Sequence, residues 1–88
     1  MGAVAETMNR KLNAALSPLR LELRDQSALH SGHTHAGTES HFDLTIECAA
    51  FAGLTRLARQ RLVMGVLAEE LAGPVHALSI RAMAPGES

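Results

Sequence analysis

The side chains best equipped for chemistry are five histidines, at positions 30, 33, 35, 41 and 76. Neutral imidazole binds borderline transition metals. His30, His33 and His35 share one polar segment, QSALHSGHTHAGTES, residues 26–40, which also carries Gly32 and Gly37. Their H-x2-H-x-H spacing fits no standard structural zinc pattern and no helical i, i+4 pair. On the residues alone the segment reads first as a solvated polar loop, with convergence on a metal as the alternative. His76 opens a short apolar run, on the same side as Leu78 and Ile80 when alternate residues are counted. It reads either as a half-buried, hydrogen-bonded histidine or as a ligand fixed by strand backbone, toward which the loop brings a second imidazole. His41 begins another alternating run beside the loop.

The remaining candidates are fewer. Cys48, the single cysteine, alternates with Phe42, Leu44 and Ile46 on the apolar side and reads as a small buried hydrophobe. One cysteine allows no internal disulfide and fits a reducing, intracellular setting. Arg56, Arg59 and Arg61 form a basic stretch for which phosphate contact is the functional reading and a solvated face with a salt bridge the plainer one. A net charge of −1 with neutral histidines supplies no overall basic field. No serine–histidine–acid arrangement, phosphate loop or paired catalytic carboxylates appear, so a non-enzymatic role is expected.

Elements must hold these groups. Val4, Met8, Leu12, Ala15 and Leu16 recur at helical spacing, predicting a first helix over residues 4–16 that Ser17-Pro18 stops. Leu19, Leu21 and Leu23 alternate with Arg20, Glu22 and Arg24, as a half-buried strand does. Residues 41–48 alternate more cleanly still. Residues 55–72 read as one amphipathic helix with Leu57, Met64, Leu67, Ala68 and Leu71 toward the core. Gly73-Pro74 should end it, the glycine in a left-handed turn, and residues 75–82 form the last strand. Glu69 and Glu70 in that helix's last turn run against its dipole, without a local reason.

The order helix–strand–strand–helix–strand predicts an α+β fold of two layers, α-β-β-α-β. The long loop 26–40 joins antiparallel strands, and the crossover joins parallel ones, giving a three-stranded mixed sheet. With 88 residues, 47% hydrophobic and 19% charged, the chain reads as a single folded domain over 1–88 with a frayed tail at 83–88. Nothing approaches the roughly 18 consecutive apolar residues of a membrane span. The first residues lack a signal-peptide pattern, so a cytoplasmic location and no membrane association are expected.

Several strings, in order, resemble the BolA family: Leu21-Glu22-Leu23-x-Asp25-x-Ser27, Glu39-Ser40-His41-Phe42, Phe51-x-Gly53, Arg59-Gln60-Arg61, Leu67-Ala68-Glu69-Glu70-Leu71 and Val75-His76-Ala77-Leu78-Ser79-Ile80. The resemblance covers roughly residues 8–85. It implies a fold similar to the type II KH domain, with a short extra helix near Phe51. It also implies a [2Fe-2S] cluster shared with a monothiol glutaredoxin, which contributes its cysteine and glutathione, and none in the isolated protein. His76 is then one ligand. The second comes from the loop after Asp25-Gln26-Ser27, at the position of His30, with His33 and His35 on the same lengthened segment. Histidine in place of thiolate raises a cluster's potential. The expected role is iron–sulfur cluster trafficking or iron sensing, the chain being a monomer or weak homodimer alone. The alternatives are a DNA-binding transcriptional regulator using the 55–72 helix with Arg56, Arg59 and Arg61, and a histidine-loop site for zinc or nickel. The sequence departs from the family at Gln26, Gln60 and Met64. It also lacks a Gly-x-x-Gly loop and aromatic platforms, which argues against single-stranded RNA.

Overall fold

The structure, a computed structural model, describes residues 2–26 and 40–87. His30, His33 and His35 lie outside them. Helix α1 (Ala3–Leu16) is followed by strands β1 (Arg20–Asp25) and β2 (His41–Glu47), then a single 3-10 turn at Ala49–Phe51. Helices α2 (Arg56–Val66) and α3 (Ala68–Ala72) and strand β3 (Ala77–Met83) complete the chain. The sheet order is β1-β2-β3. β1 and β2 are antiparallel, with Leu23 opposite Leu44, and β2 and β3 are parallel, with Leu44 beside Ile80. This is the α+β, three-stranded mixed sheet that the alternation predicts, with the turn at Phe51 in its expected place.

Alternation decides which face of the sheet the helices cover. Phe42, Leu44 and Ile46 are buried together with Leu23, Met8, Leu12, Phe51 and Val63, one continuous apolar core. The other face is charged: Arg24 lies opposite Asp43, and Arg20 opposite Glu47. Its concavity of ≈ 510 Å³ is lined by such compensating charges and holds neither His41 nor His76.

Three local expectations change. The helix over 55–72 is two helices, because Leu67 (φ −101°, ψ 20°) leaves helical geometry between α2 and α3. Val63, Leu67 and Glu70 are buried and Leu71 packs against the core as expected, while Ala68 is exposed and Leu57 and Met64 are 56% and 46% exposed. The acid at position 70 is inside because Lys11 of α1 reaches it: Nζ donates to Glu70 Oε2 at 2.8 Å and to Glu69 Oε1 at 2.9 Å. The break at Leu67 also places both acids in the first turn of α3, where the helix dipole favours negative charge, so the expected conflict with the dipole does not arise. The Lys11 hydrogen bond holds the Glu69 carboxyl below its ordinary pKa.

Gly73 does end α3, yet with φ −111° rather than a left-handed turn. A Cβ there would stand 3.3 Å from the Glu69 carbonyl, so the missing side chain permits close passage of the backbone.

The expected fraying at 83–88 does not extend to residues 83–87. Met83 belongs to β3, Ala84 is buried, and the Glu87 carboxylate is gripped by Arg59 of α2 at 2.6 and 2.9 Å. Glu87 also accepts the Ala84 N–H at 3.0 Å.

Candidate functional site

Three chain segments meet at one end of the sheet. β1 leaves at Gln26, whose N–H donates to the His41 carbonyl at 2.7 Å. β2 enters after Ser40, and β3 enters after His76. The Ser40 carbonyl accepts both the His76 N–H at 2.8 Å and the Ala77 N–H at 3.1 Å. The two roots of the histidine-bearing segment, Gln26 and Ser40, therefore flank the start of β2, and one is bonded directly to His76.

The backbone of His76 is fixed on both sides. Before it, Val75 is buried and its N–H donates to the Glu70 carbonyl at 2.9 Å, tying the segment to the end of α3. After it, β3 runs parallel to β2 with Ala77 beside His41. Counting alternate residues puts position 76 on the helix side of the sheet. Its side chain is nevertheless exposed, because the covered core begins only at Leu78 and Phe42. Of the two expected environments, the half-buried one is not found. The result is a solvent-facing imidazole on a main chain held by hydrogen bonds before and after it.

His41 is half-buried at the same end. Gln26 Nε2 donates to Asp43 Oδ2 at 3.0 Å, further fastening the exit of β1 to β2. Cys48 is sealed 1% exposed; its Sγ donates to the Leu16 carbonyl at 3.0 Å and accepts the Ala50 N–H at 3.4 Å. Among the described residues, no three histidine, cysteine, aspartate or glutamate side chains gather as a metal site. His76 offers a single imidazole donor there, and no other described donor joins it in a cluster.

The arginines of α2 separate into two kinds. Thr55 caps the helix, its Oγ1 accepting the Ala58 N–H at 3.1 Å. Arg59 turns inward: Nε donates to the Leu54 carbonyl at 3.0 Å, and Nη1 donates to the Ala82 carbonyl at 3.2 Å as well as to Glu87. The Arg59 hydrogen bonds, then the Ala84 N–H, bring the Glu87 carboxyl down to about 2. The salt bridge anticipated for this helix thus joins Arg59 to the C-terminal residues. Arg56 and Arg61 are exposed. Arg81, not singled out from the sequence, joins Arg56 and Arg59 around a smaller cleft of ≈ 310 Å³ beside β3; the only signal for it was its outward parity on that strand.

A family model described as BolA-like protein matches residues 12–87. BolA-like protein 1 of Homo sapiens is 46% identical over 87 residues, covering 99% of this chain and 62% of that protein. The chain therefore spans under two thirds of the length of such mammalian relatives. The Escherichia coli (strain K12) protein named DNA-binding transcriptional regulator BolA is 40% identical over 77 residues, 88% of this chain and 71% of its own. Among solved structures, the BolA domain of SufE1 from Arabidopsis thaliana superposes with a TM-score of 0.90 at 39% identity, covering 100% and 99% of the two chains. The solution structure of BolA1 from Mus musculus gives 0.84 at 47% identity, covering 97% and 68%. The family strings seen in order along the sequence, the mixed sheet they build and these matches over nearly the whole chain lead to one assignment: the chain belongs to the BolA-like family.

Proposed function

We propose that this chain is a non-enzymatic accessory in iron–sulfur cluster trafficking or iron sensing, and that it shares a [2Fe-2S] cluster with a monothiol glutaredoxin. The cluster is cargo rather than a resident cofactor. The observation carrying the reading is His76: an exposed imidazole on a backbone clamped by Ser40 and Val75. It can give one ligand without rearrangement and leaves the remaining positions to the partner's cysteine, glutathione and one further histidine of this chain. That second ligand is drawn from His30, His33 and His35. Covalent geometry permits each: at about 3.3–3.6 Å per extended residue, four residues from Gln26 or five from Ser40 exceed two strand spacings of about 4.8 Å. A mixed cysteine and histidine ligand set makes the cluster less negative than an all-thiolate one and raises its potential. No described helix is long and apolar enough to cross a membrane. The proposed role is that of a cytoplasmic protein, a monomer or weak homodimer alone.

The deciding experiment mixes the chain with cluster-loaded monothiol glutaredoxin and follows visible absorption and circular dichroism. A spectral change that His76→Ala abolishes supports the reading; an unchanged spectrum with the native chain, or a change surviving His76→Ala, overturns it.

A second reading is DNA binding through α2, favoured by exposed Arg56 and Arg61 and by the name of the Escherichia coli relative. Salt titration of duplex DNA affinity separates it from the first, since phosphate contacts are lost steeply with salt.

A further inference from the structure

β3 is an outer strand, bonded to β2 on one side only. Its free edge can be read from the bonds on the other side. The Ala77 N–H goes to Ser40 of the β2 entrance, and the Met83 carbonyl accepts the Cys48 N–H at 2.9 Å. Residues 77, 79, 81 and 83 therefore direct their main-chain groups toward β2. By alternation Leu78, Ile80 and Ala82 direct theirs outward. The Ala82 carbonyl is already occupied by Arg59. The N–H and carbonyl of Leu78 and Ile80 remain on an unpaired edge, the template on which another strand adds.

The charges beside that edge select what can add. Ile80 and Ala82 lie in the ≈ 310 Å³ cleft with Arg56, Arg59, Gln60 and Arg81. Arg59 is neutralised by Glu87. Among the described residues Arg56 and Arg81 make no ion pair. Two guanidinium groups without an ion pair, of which Arg81 also borders the charged sheet face, thus flank a strand edge with donors and acceptors in alternation.

We infer that the free edge of β3 receives an extended acidic segment of another protein as a fourth strand, its carboxylates meeting Arg56 and Arg81. A second copy of this chain is disfavoured, because β3 against β3 about a two-fold axis would confront these arginines with themselves. Nucleic acid is disfavoured for a different reason. Phosphates are acceptors and would serve the guanidinium groups, but would leave the outward carbonyls of Leu78 and Ile80 unmatched. The inference is independent of whether His76 binds a cluster.

The test is an NMR titration of the 15N-labelled chain with a capped octapeptide alternating valine and glutamate. Expected are shifts confined to β3 and the start of α2, and slowed exchange of the Ile80 amide. Two control peptides, one with lysine for glutamate and one N-methylated at alternate residues, bind at least ~10-fold more weakly. The double variant Arg56→Glu/Arg81→Glu weakens the native peptide by a similar ~10-fold factor; should it fail to fold, the two control peptides decide alone. Absence of β3 shifts at millimolar peptide, equal binding of either control, or shifts centred on β1 overturn the inference. So does duplex DNA binding at Arg56 and Arg81 without any peptide binding, or a β3-paired homodimer in light scattering.

Discussion

The carbonyl of Ser40 holds the amides of both His76 and Ala77, at 2.8 and 3.1 Å. One acceptor thus joins the root of the histidine-bearing segment to the position before β3. His76→Ala should remove the spectral change with cluster-loaded glutaredoxin. His76→Cys should keep a cluster but lower its potential by on the order of 100 mV, because a thiolate donates more negative charge than imidazole. Redox titration of the two complexes checks the sign. Single replacements of His30, His33 and His35 should then identify one, and only one, whose loss reproduces His76→Ala.

Burial along α2 and α3 makes a contrast in stability. Leu67→Ala removes a fully buried side chain at the break between the helices and should cost about 2–5 kcal/mol. Met64→Ala, at a position 46% exposed, should stay within about 0.5 kcal/mol. Urea unfolding followed by far-ultraviolet circular dichroism measures both.

Lys11 bridges α1 to the first turn of α3, with one exposed and one buried carboxylate as partners. Glu70 Oε1 is buried with no hydrogen-bond partner, so losing Lys11 would strand a carboxylate that is already half-satisfied. Lys11→Ala should lower Tm clearly, and Glu69→Gln hardly at all. The double variant Lys11→Met/Glu70→Leu should recover much of the loss, since an apolar pair can replace a buried ionic one. A thermal-melt cycle over these variants tests the ordering.

The Glu87 clasp gives a pH dependence with a definite sign. Its folded pKa, about 2, lies below the ordinary 4.5. The clasp therefore stabilises the folded chain above pH 4.5 and is lost as pH falls from there through about 2. Carboxyl 13C shifts should report Glu87 titrating at about 2, well below the ordinary 4.5, and Glu87→Gln should remove that step.

Arg59 also limits what α2 offers to phosphates. With it bound to Glu87 and two carbonyls, Arg56 and Arg61 remain. If the helix contacts duplex DNA, the slope of log affinity against log salt should be about −1.8 for two phosphates. Arg59→Ala should leave that slope unchanged while loosening the C-terminal residues. A slope near −2.7, expected for three contacts, would show Arg59 leaving its clasp.

The elements were legible because alternation and helical spacing are local. Leu44 and Ile46 point inward for the reason their neighbours Asp43 and Thr45 do not. The phase of α2 was less legible: Leu57 and Met64 look like core residues, and Glu70 does not. What places Glu70 inside is Lys11, on another helix and far away in sequence. The order at the C-terminal end has the same origin, in Arg59, which no reading of Ala84-Pro85-Gly86 could supply. His76 was identifiable as a candidate, but not its exposure, because counting along a strand gives a side chain's direction and says nothing of where the core stops.

Cys48 has a chemical consequence. A protein meeting a partner through that partner's reactive thiolate risks exchanging sulfur with it. Here the chain's only sulfhydryl is sealed and engaged with Leu16 and Ala50, out of reach of a mixed disulfide, of glutathionylation and of peroxide while the fold persists. Any association with such a partner must then come apart without a reductant.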